Sequence, residues 1–122
     1  MRSRWRDLRG ASGTCGDRGS VTAELAVVLP VVLLVLVLGA ATLAACARQV
    51  RLQDAAADAA RLVARDEPAS RAQGVVASAV AGATADIRYR GDLVCVDARA
   101  PAALPVPTPD LRASSCALAG GF

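Results

Sequence analysis

The chain contains no histidine and no lysine, and it has a single tryptophan, a single tyrosine and a single phenylalanine. Without histidine it lacks the commonest general base and zinc ligand, and without lysine it lacks the amine of Schiff-base chemistry and of phosphate-binding loops. No serine stands beside a plausible base, and there is no glycine-rich phosphate loop. The carboxylates are scattered along charged stretches and read as solvated. The four cysteines, Cys15, Cys46, Cys95 and Cys116, have no zinc-site spacing. The sequence therefore predicts no catalytic residue, no metal, no cofactor and no small-molecule substrate. So few aromatic residues also argue against a large, tightly packed core.

What is present is unevenly placed. Before Ser20 there are five arginines (Arg2, Arg4, Arg6, Arg9, Arg18) against Asp7 and Asp17, and from Ser20 onward nine arginines meet nine acids. All of the net charge of +3 thus sits in the first 19 residues. That head is short, interrupted by Gly10, Gly13, Gly16 and Gly19, and has Trp5 as its only aromatic, which is poor material for a nucleic-acid surface. Basic residues ahead of an apolar run more often set topology, with the N-terminus cytoplasmic and the C-terminal part exported. The apolar run is Leu25 to Ala47, 23 residues without a charge. At about 1.5 Å per residue it makes roughly 35 Å of helix, enough for a ~30 Å hydrocarbon core.

The junction between head and run holds the informative residues, Gly19, Ser20 and Glu24. A carboxylate at a membrane threshold needs a reason. Helix electrostatics offers one: Ser20 or Thr22 can cap the helix, leaving Glu24 in its first turn, where a negative charge is favoured by about 0.3–1 kcal/mol. That does not account for a glycine placed directly before the helix start.

Gly19, Ser20, Glu24 as the fifth residue after the glycine, and an uninterrupted apolar helix together resemble the class III signal of type IV pilins and pseudopilins. The fuller string from Arg18 to Pro30 is similar to the TadE-like minor pilins of tight-adherence (Flp-type) pilus systems, especially the arginine-rich, lysine-free actinobacterial sort. The resemblance is strong over residues 18 to about 65 and loose beyond. It implies cleavage by a prepilin peptidase after Gly19, with Ser20 as the mature N-terminus. It also implies that Glu24 pairs with the terminal amine of a neighbouring subunit. The partners it implies are that peptidase, other pilin subunits, the Tad assembly-platform proteins and the membrane, with no nucleic acid. The implied place is the bacterial cell membrane, single-pass, with the head outside, or the pilus.

Two other readings stay open. Leu43-Ala44-Ala45-Cys46 fits a lipobox, which would make the chain an exported lipoprotein cut before Cys46. Against it, the apolar run exceeds the usual 7–15 residue h-region, and Glu24 goes unexplained. The other is an uncleaved single-pass anchor. Pro30 should kink the helix, and Gly39, Ala40, Ala41, Ala44 and Ala45 offer a small-residue surface for close helix approach.

Beyond the run the helix should continue to about Asp66 as an amphipathic half. Val50, Leu52, Ala55, Ala59, Leu62 and Val63 would face inward, with Arg51–Asp54 and Asp58–Arg61 pairs on the wet side. Asp66-Glu67-Pro68 ends it and starts a short helix over Ala69–Val80, with Ala72, Val75, Val76, Ala79 and Val80 inward. Then the period changes to two: Asp86–Arg90, a Gly91-Asp92 turn and Leu93–Ala98 make a β-hairpin. That turn also accounts for the Arg90-Gly91-Asp92 tripeptide without an adhesion role. Four prolines, Pro101 to Pro109, mark an extended loop, and Leu111–Leu118 can return as a third strand. In an exported head Cys95 and Cys116 are the natural disulfide pair. The expected fold is α+β: a basic leader (1–19), a long helix (20–66, membrane part 25–47) and a small head (67–122).

Overall fold

A computed structural model describes residues 15–120, with side chains from residue 19 on. Residues 1–14 of the expected leader, Trp5 and four of its arginines among them, lie outside the described residues, as do the side chains of Cys15 and Arg18. The element order is α1 (Cys15–Ala64), α2 (Ala69–Ala79), β1 (Thr84–Arg90), β2 (Leu93–Ala100) and β3 (Leu111–Leu118). This is the expected α+β arrangement of a long helix, a short helix and a three-stranded antiparallel sheet of order β1-β2-β3. The chain divides into two compact units, residues 1–39 and 40–122, the division falling within α1.

Helix α1 already runs at Cys15, five residues before the expected start at Ser20. Gly16 and Gly19 cost roughly 1 kcal/mol each relative to alanine, but adding residues to an existing helix is far easier than nucleating one, and no proline intervenes. Ser20 and Thr22 therefore lie inside the helix and do not cap it. Pro30 is likewise inside α1, which continues through it.

Around Ala64 the chain leaves the helix by a Schellman turn. Asp66 N–H donates to Val63 O (3.0 Å) and Glu67 N–H to Leu62 O (3.1 Å), the paired bonds that satisfy the last helical carbonyls. Asp66 takes the left-handed position with φ 62°. The helix thus stops at Ala64, two residues before the expected end, because the turn itself needs Arg65 and Asp66. Pro68 then occupies the N-cap of α2, without a side-chain cap bond.

Within unit 40–122 the core lies between one face of α1, α2 and the inner face of the sheet. From α1 it takes Leu52, Ala55, Ala56, Ala59, Ala60 and Val63; from α2, Ala72 and Val76, with Val80 just after. The sheet adds Ala85, Val94, Val96, Ala98, Ala100 and Ala113. Two expected inward residues are not inside: Val50 is exposed, and so is Ala79. Ala56 and Ala60 take the room instead, because the sheet meets the helix about one position round from the face that the larger apolar residues mark. Of the two expected helix pairs only Arg61–Asp58 forms, at 3.3 Å.

Gly91 takes the positive φ (56°) that a two-residue hairpin favours at its first turn position, and Arg90 pairs with Leu93 across it. The ladder phase of β2–β3 follows from Ala119 N–H, which donates to Asp92 O (2.8 Å) just beyond the strands. Leu93–Leu118, Cys95–Cys116, Asp97–Ser114 and Arg99–Arg112 are consequently the non-hydrogen-bonded pairs, whose side chains approach most closely.

Asp66 carries a side chain where glycine has no steric penalty. Asp66→Gly should raise the stability of the head by a few tenths to about 1 kcal/mol, read as a higher thermal midpoint, whereas Asp66→Val should lower it.

Candidate functional site

The junction lies in the first unit, where α1 is apolar on every side. Val21, Leu25, Val27 to Leu29 and Val31 to Leu38 are all exposed, Val27 by 70% and Val37 by 65%. Glu24 is the one acidic residue in this stretch, and Ser20, Ala23, Val27 and Val28 lie around it on the same helix surface. Since the helix already runs at Cys15, Glu24 sits in its third turn, too far in to be explained by the dipole of the helix start. Gly19 is also unforced by the fold. A Cβ built there meets nothing within 4 Å, and its φ lies outside the left-handed region. Both residues therefore stand where neither packing nor local backbone geometry requires them.

Among the described residues one helix, Gly19–Ala64, is long and apolar enough to cross a membrane, with a mean hydropathy of 2.8 over its best window. Cys46 is a free, exposed thiol on that helix. Ala41 and Ala45 are half-buried, and the other small residues expected to form an approach surface, Gly39, Ala40 and Ala44, are exposed.

In the second unit, contacts that the sequence does not announce hold α1 in place. Arg48 Nη2 donates to Ala81 O (3.2 Å) and Pro101 O (3.0 Å), tying the helix to the turn after α2 and to the end of β2. Gln49 Nε2 donates to Arg112 O of β3 (2.8 Å). Gly82, at φ 77°, packs so near Pro101 that a Cβ would lie 3.2 Å from its ring. A charged residue just after an apolar run reads as a membrane-edge cation, and nothing local reveals that Arg48 caps carbonyls 33 and 53 residues away.

The structure joins Cys95 to Cys116 by a disulfide, with the two Cα atoms 4.0 Å apart. The bond closes a loop of 21 residues, worth about 3 kcal/mol through the entropy it removes from the unfolded chain. It lies on the sheet's outer face, in the next row to Asp97. The Asp97 carboxyl is held below the usual aspartate range, chiefly by the hydrogen bond from Ser114, against some desolvation, with Arg88, Arg90 and Arg99 adding attraction. Arg88 Nε is 3.2 Å from Asp97 Oδ2.

Because the folded-state pKa of Asp97 is depressed, its contribution to stability is present above the ordinary aspartate pKa and is lost as pH falls through the lower folded value. Acidifying below about pH 4 should thus lower the melting temperature of the native protein more steeply than that of Asp97→Asn. Parallel curves for the two proteins would remove this role.

Among the described residues no group of three or more Cys, Asp or Glu side chains could hold a metal ion. No curated protein matches the chain, and no solved structure does. Residues 19–61 match the family model described as TadE-like protein, a segment that starts at Gly19, contains Glu24 and continues along α1 into the alanine stripe of the head. The chain is thus TadE-like over residues 19–61, along the one apolar N-terminal helix that carries its junction.

Proposed function

We propose that this protein is a structural minor pilin or pseudopilin of a tight-adherence pilus, and not an enzyme. A prepilin peptidase cuts after Gly19, Ser20 becomes the mature N-terminus, and Glu24 pairs with the terminal amine of a neighbouring subunit. The observation that carries this reading is an all-round exposed apolar helix broken by one carboxylate, inside a TadE-like segment that begins at Gly19. Gly19 is then the substrate of another enzyme, which accounts for a helical glycine the fold does not ask for.

Cleavage would also change what surrounds Glu24. With residues 1–19 gone, the helix would start at Ser20, and Glu24 would lie in the first turns, near a new ammonium group. A lone charge within hydrocarbon costs several kcal/mol, and pairing it with an opposite charge recovers much of that. The pair therefore favours the one subunit register that brings amine and carboxylate together. The whole net charge of the chain would leave with the leader.

The arginine-rich leader supports an orientation with the N-terminus in the cytoplasm and the head outside. A disulfide between Cys95 and Cys116 suits that oxidising side. In this reading the protein spans the membrane until assembly, and its partners are the peptidase, other pilin subunits and the Tad assembly platform. The domain plan is the leader, a long helix scaffold from Ser20, and the small head. A lipoprotein cut before Cys46 fits less well, since that cut would divide the TadE-like segment. An uncleaved anchor leaves both Gly19 and Glu24 without a role.

The N-terminal sequence and intact mass of the protein recovered from membranes separate these readings. A chain starting at Ser20 is expected; a lipid-bearing start at Cys46, or a full-length chain, would overturn the proposal. Glu24→Ala should still be cut after Gly19 but be recovered in pili at least about tenfold less, the loss of one desolvated charge pair. Normal incorporation of that variant would remove the pairing role from Glu24 while leaving cleavage untouched.

A further inference from the structure

Arg99 of β2 and Arg112 of β3 stand directly opposite each other on the outer face of the sheet. They are a non-hydrogen-bonded pair, the class with Cα atoms about 4.5 Å apart and the closest side chains. Like charges at that spacing oppose sheet formation. The neighbouring acid relieves them only in part. Asp97 attracts Arg99 but is already engaged by Ser114 and by Arg88, and Asp86 stands opposite Asp97 on β1, two strands from Arg112. Among the described residues neither guanidinium of the pair makes a hydrogen bond or an ion pair. On the other side of Arg99 the cross-strand partner is Thr84, which brings no charge.

These two arginines border a recess of about 380 Å³ whose other polar lining is Arg88, Asp97 and Ser114. Three cations and one anion leave it with a net charge of +2. The face is small. Three strands about 4.8 Å apart and seven or eight residues long cover roughly 400 Å², half of what each partner contributes to a stable protein interface. A compact group of high charge density suits it better than a second copy of this chain.

We propose that the recess is a binding site for a phosphate group, held between the guanidinium forks of Arg99 and Arg112. A phosphate monoester carries close to two negative charges at neutral pH and three strong acceptor oxygens, which matches two unpaired forks. A carboxylate brings one charge and two oxygens and satisfies only one fork. Asp97, paired with Arg88 in the neighbouring row, repels a second anion, so the recess takes one group. The ligand class is a phosphate monoester or the terminal phosphate of a larger molecule. The site lies wholly within unit 40–122 and does not depend on cleavage at Gly19 or on pilus assembly.

The test uses the full chain in sugar-headed, phosphate-free detergent micelles, titrated with inorganic phosphate at constant ionic strength and read by the Nε–H NMR signals of the arginines. Saturable shifts at Arg99 and Arg112, absent at Arg61, are expected. Arg99→Gln and Arg112→Gln should each weaken phosphate binding about tenfold, and Arg61→Gln should leave it unchanged. Acetate in place of phosphate should give no saturation. An equal response to acetate, an equal loss in Arg61→Gln, or shifts that grow linearly at all arginines would overturn the proposal. Adding phosphatidic acid to the micelles distinguishes the sources: if it moves the same two signals and blocks inorganic phosphate the group comes from lipid, and if it does not the ligand is soluble.

Discussion

The head depends on one face of α1 being lined by alanine. Ala55, Ala56, Ala59 and Ala60 are buried between Leu52 and Val63, so the buried stripe of α1 is made mostly of small side chains. Residues of the later elements join the same buried cluster: Val94, Val96, Ala98 and Ala113 from the sheet, Ala72 and Val76 from α2. The largest fully buried side chains are only Leu52, Val76, Val94 and Val96. A core of this kind buries little area per residue, so each extra constraint counts for more than it would in a larger domain. The disulfide, the Schellman turn and the carbonyl-capping Arg48 and Gln49 supply those constraints. Two of them restrict the chain without adding apolar volume.

The same helix meets two demands along its length. From Val21 to Leu38 it presents apolar side chains in every direction, which suits a hydrocarbon solvent or a bundle of like helices. From Arg51 to Ala64 it is amphipathic, with Arg51, Asp54, Asp58 and Arg61 kept outside the buried stripe. The TadE-like match spans both parts.

The sheet separates its two faces with equal economy. Even-numbered residues of β2 are the core, and odd-numbered ones carry the charges and the disulfide. Placing Cys95–Cys116 on the outer face leaves the inner face free for Val94 and Val96. It also puts the covalent tie in the same row as Arg88 and next to the Asp97 row, where strand register is what keeps each charge beside its present neighbours. A one-residue slip of β3 would bring Arg112 to the core side and remove the Arg99–Arg112 opposition.

Much of the architecture was legible locally. The uncharged run, the stop at Pro68, the Gly91-Asp92 turn and the change to alternating periodicity each report backbone geometry within a few residues. They placed α2, the hairpin and the third strand within a few residues of where they lie. The misplaced helix face has one cause. Alanine is neither firmly apolar nor polar, so the periodic pattern followed Val50 and Leu62, and the buried face turned out to centre on Ala56 and Ala60. The early helix start escaped notice because glycines read as breaks, although a helix already formed can run through them.

Sequence alone singled out the junction: one glycine, one serine and one carboxylate at fixed spacing before a long apolar run, in a chain without histidine or lysine. Tertiary structure decided what had to come together from far apart: Arg48 with Ala81 and Pro101, Gln49 with Arg112, and Arg99 with Arg112 on the outer face. Spacing along a chain fixes which side chains share a helix face or strand face. Which faces meet, and in what register, depends on how closely small side chains allow distant elements to pack, and that is a property of the folded whole.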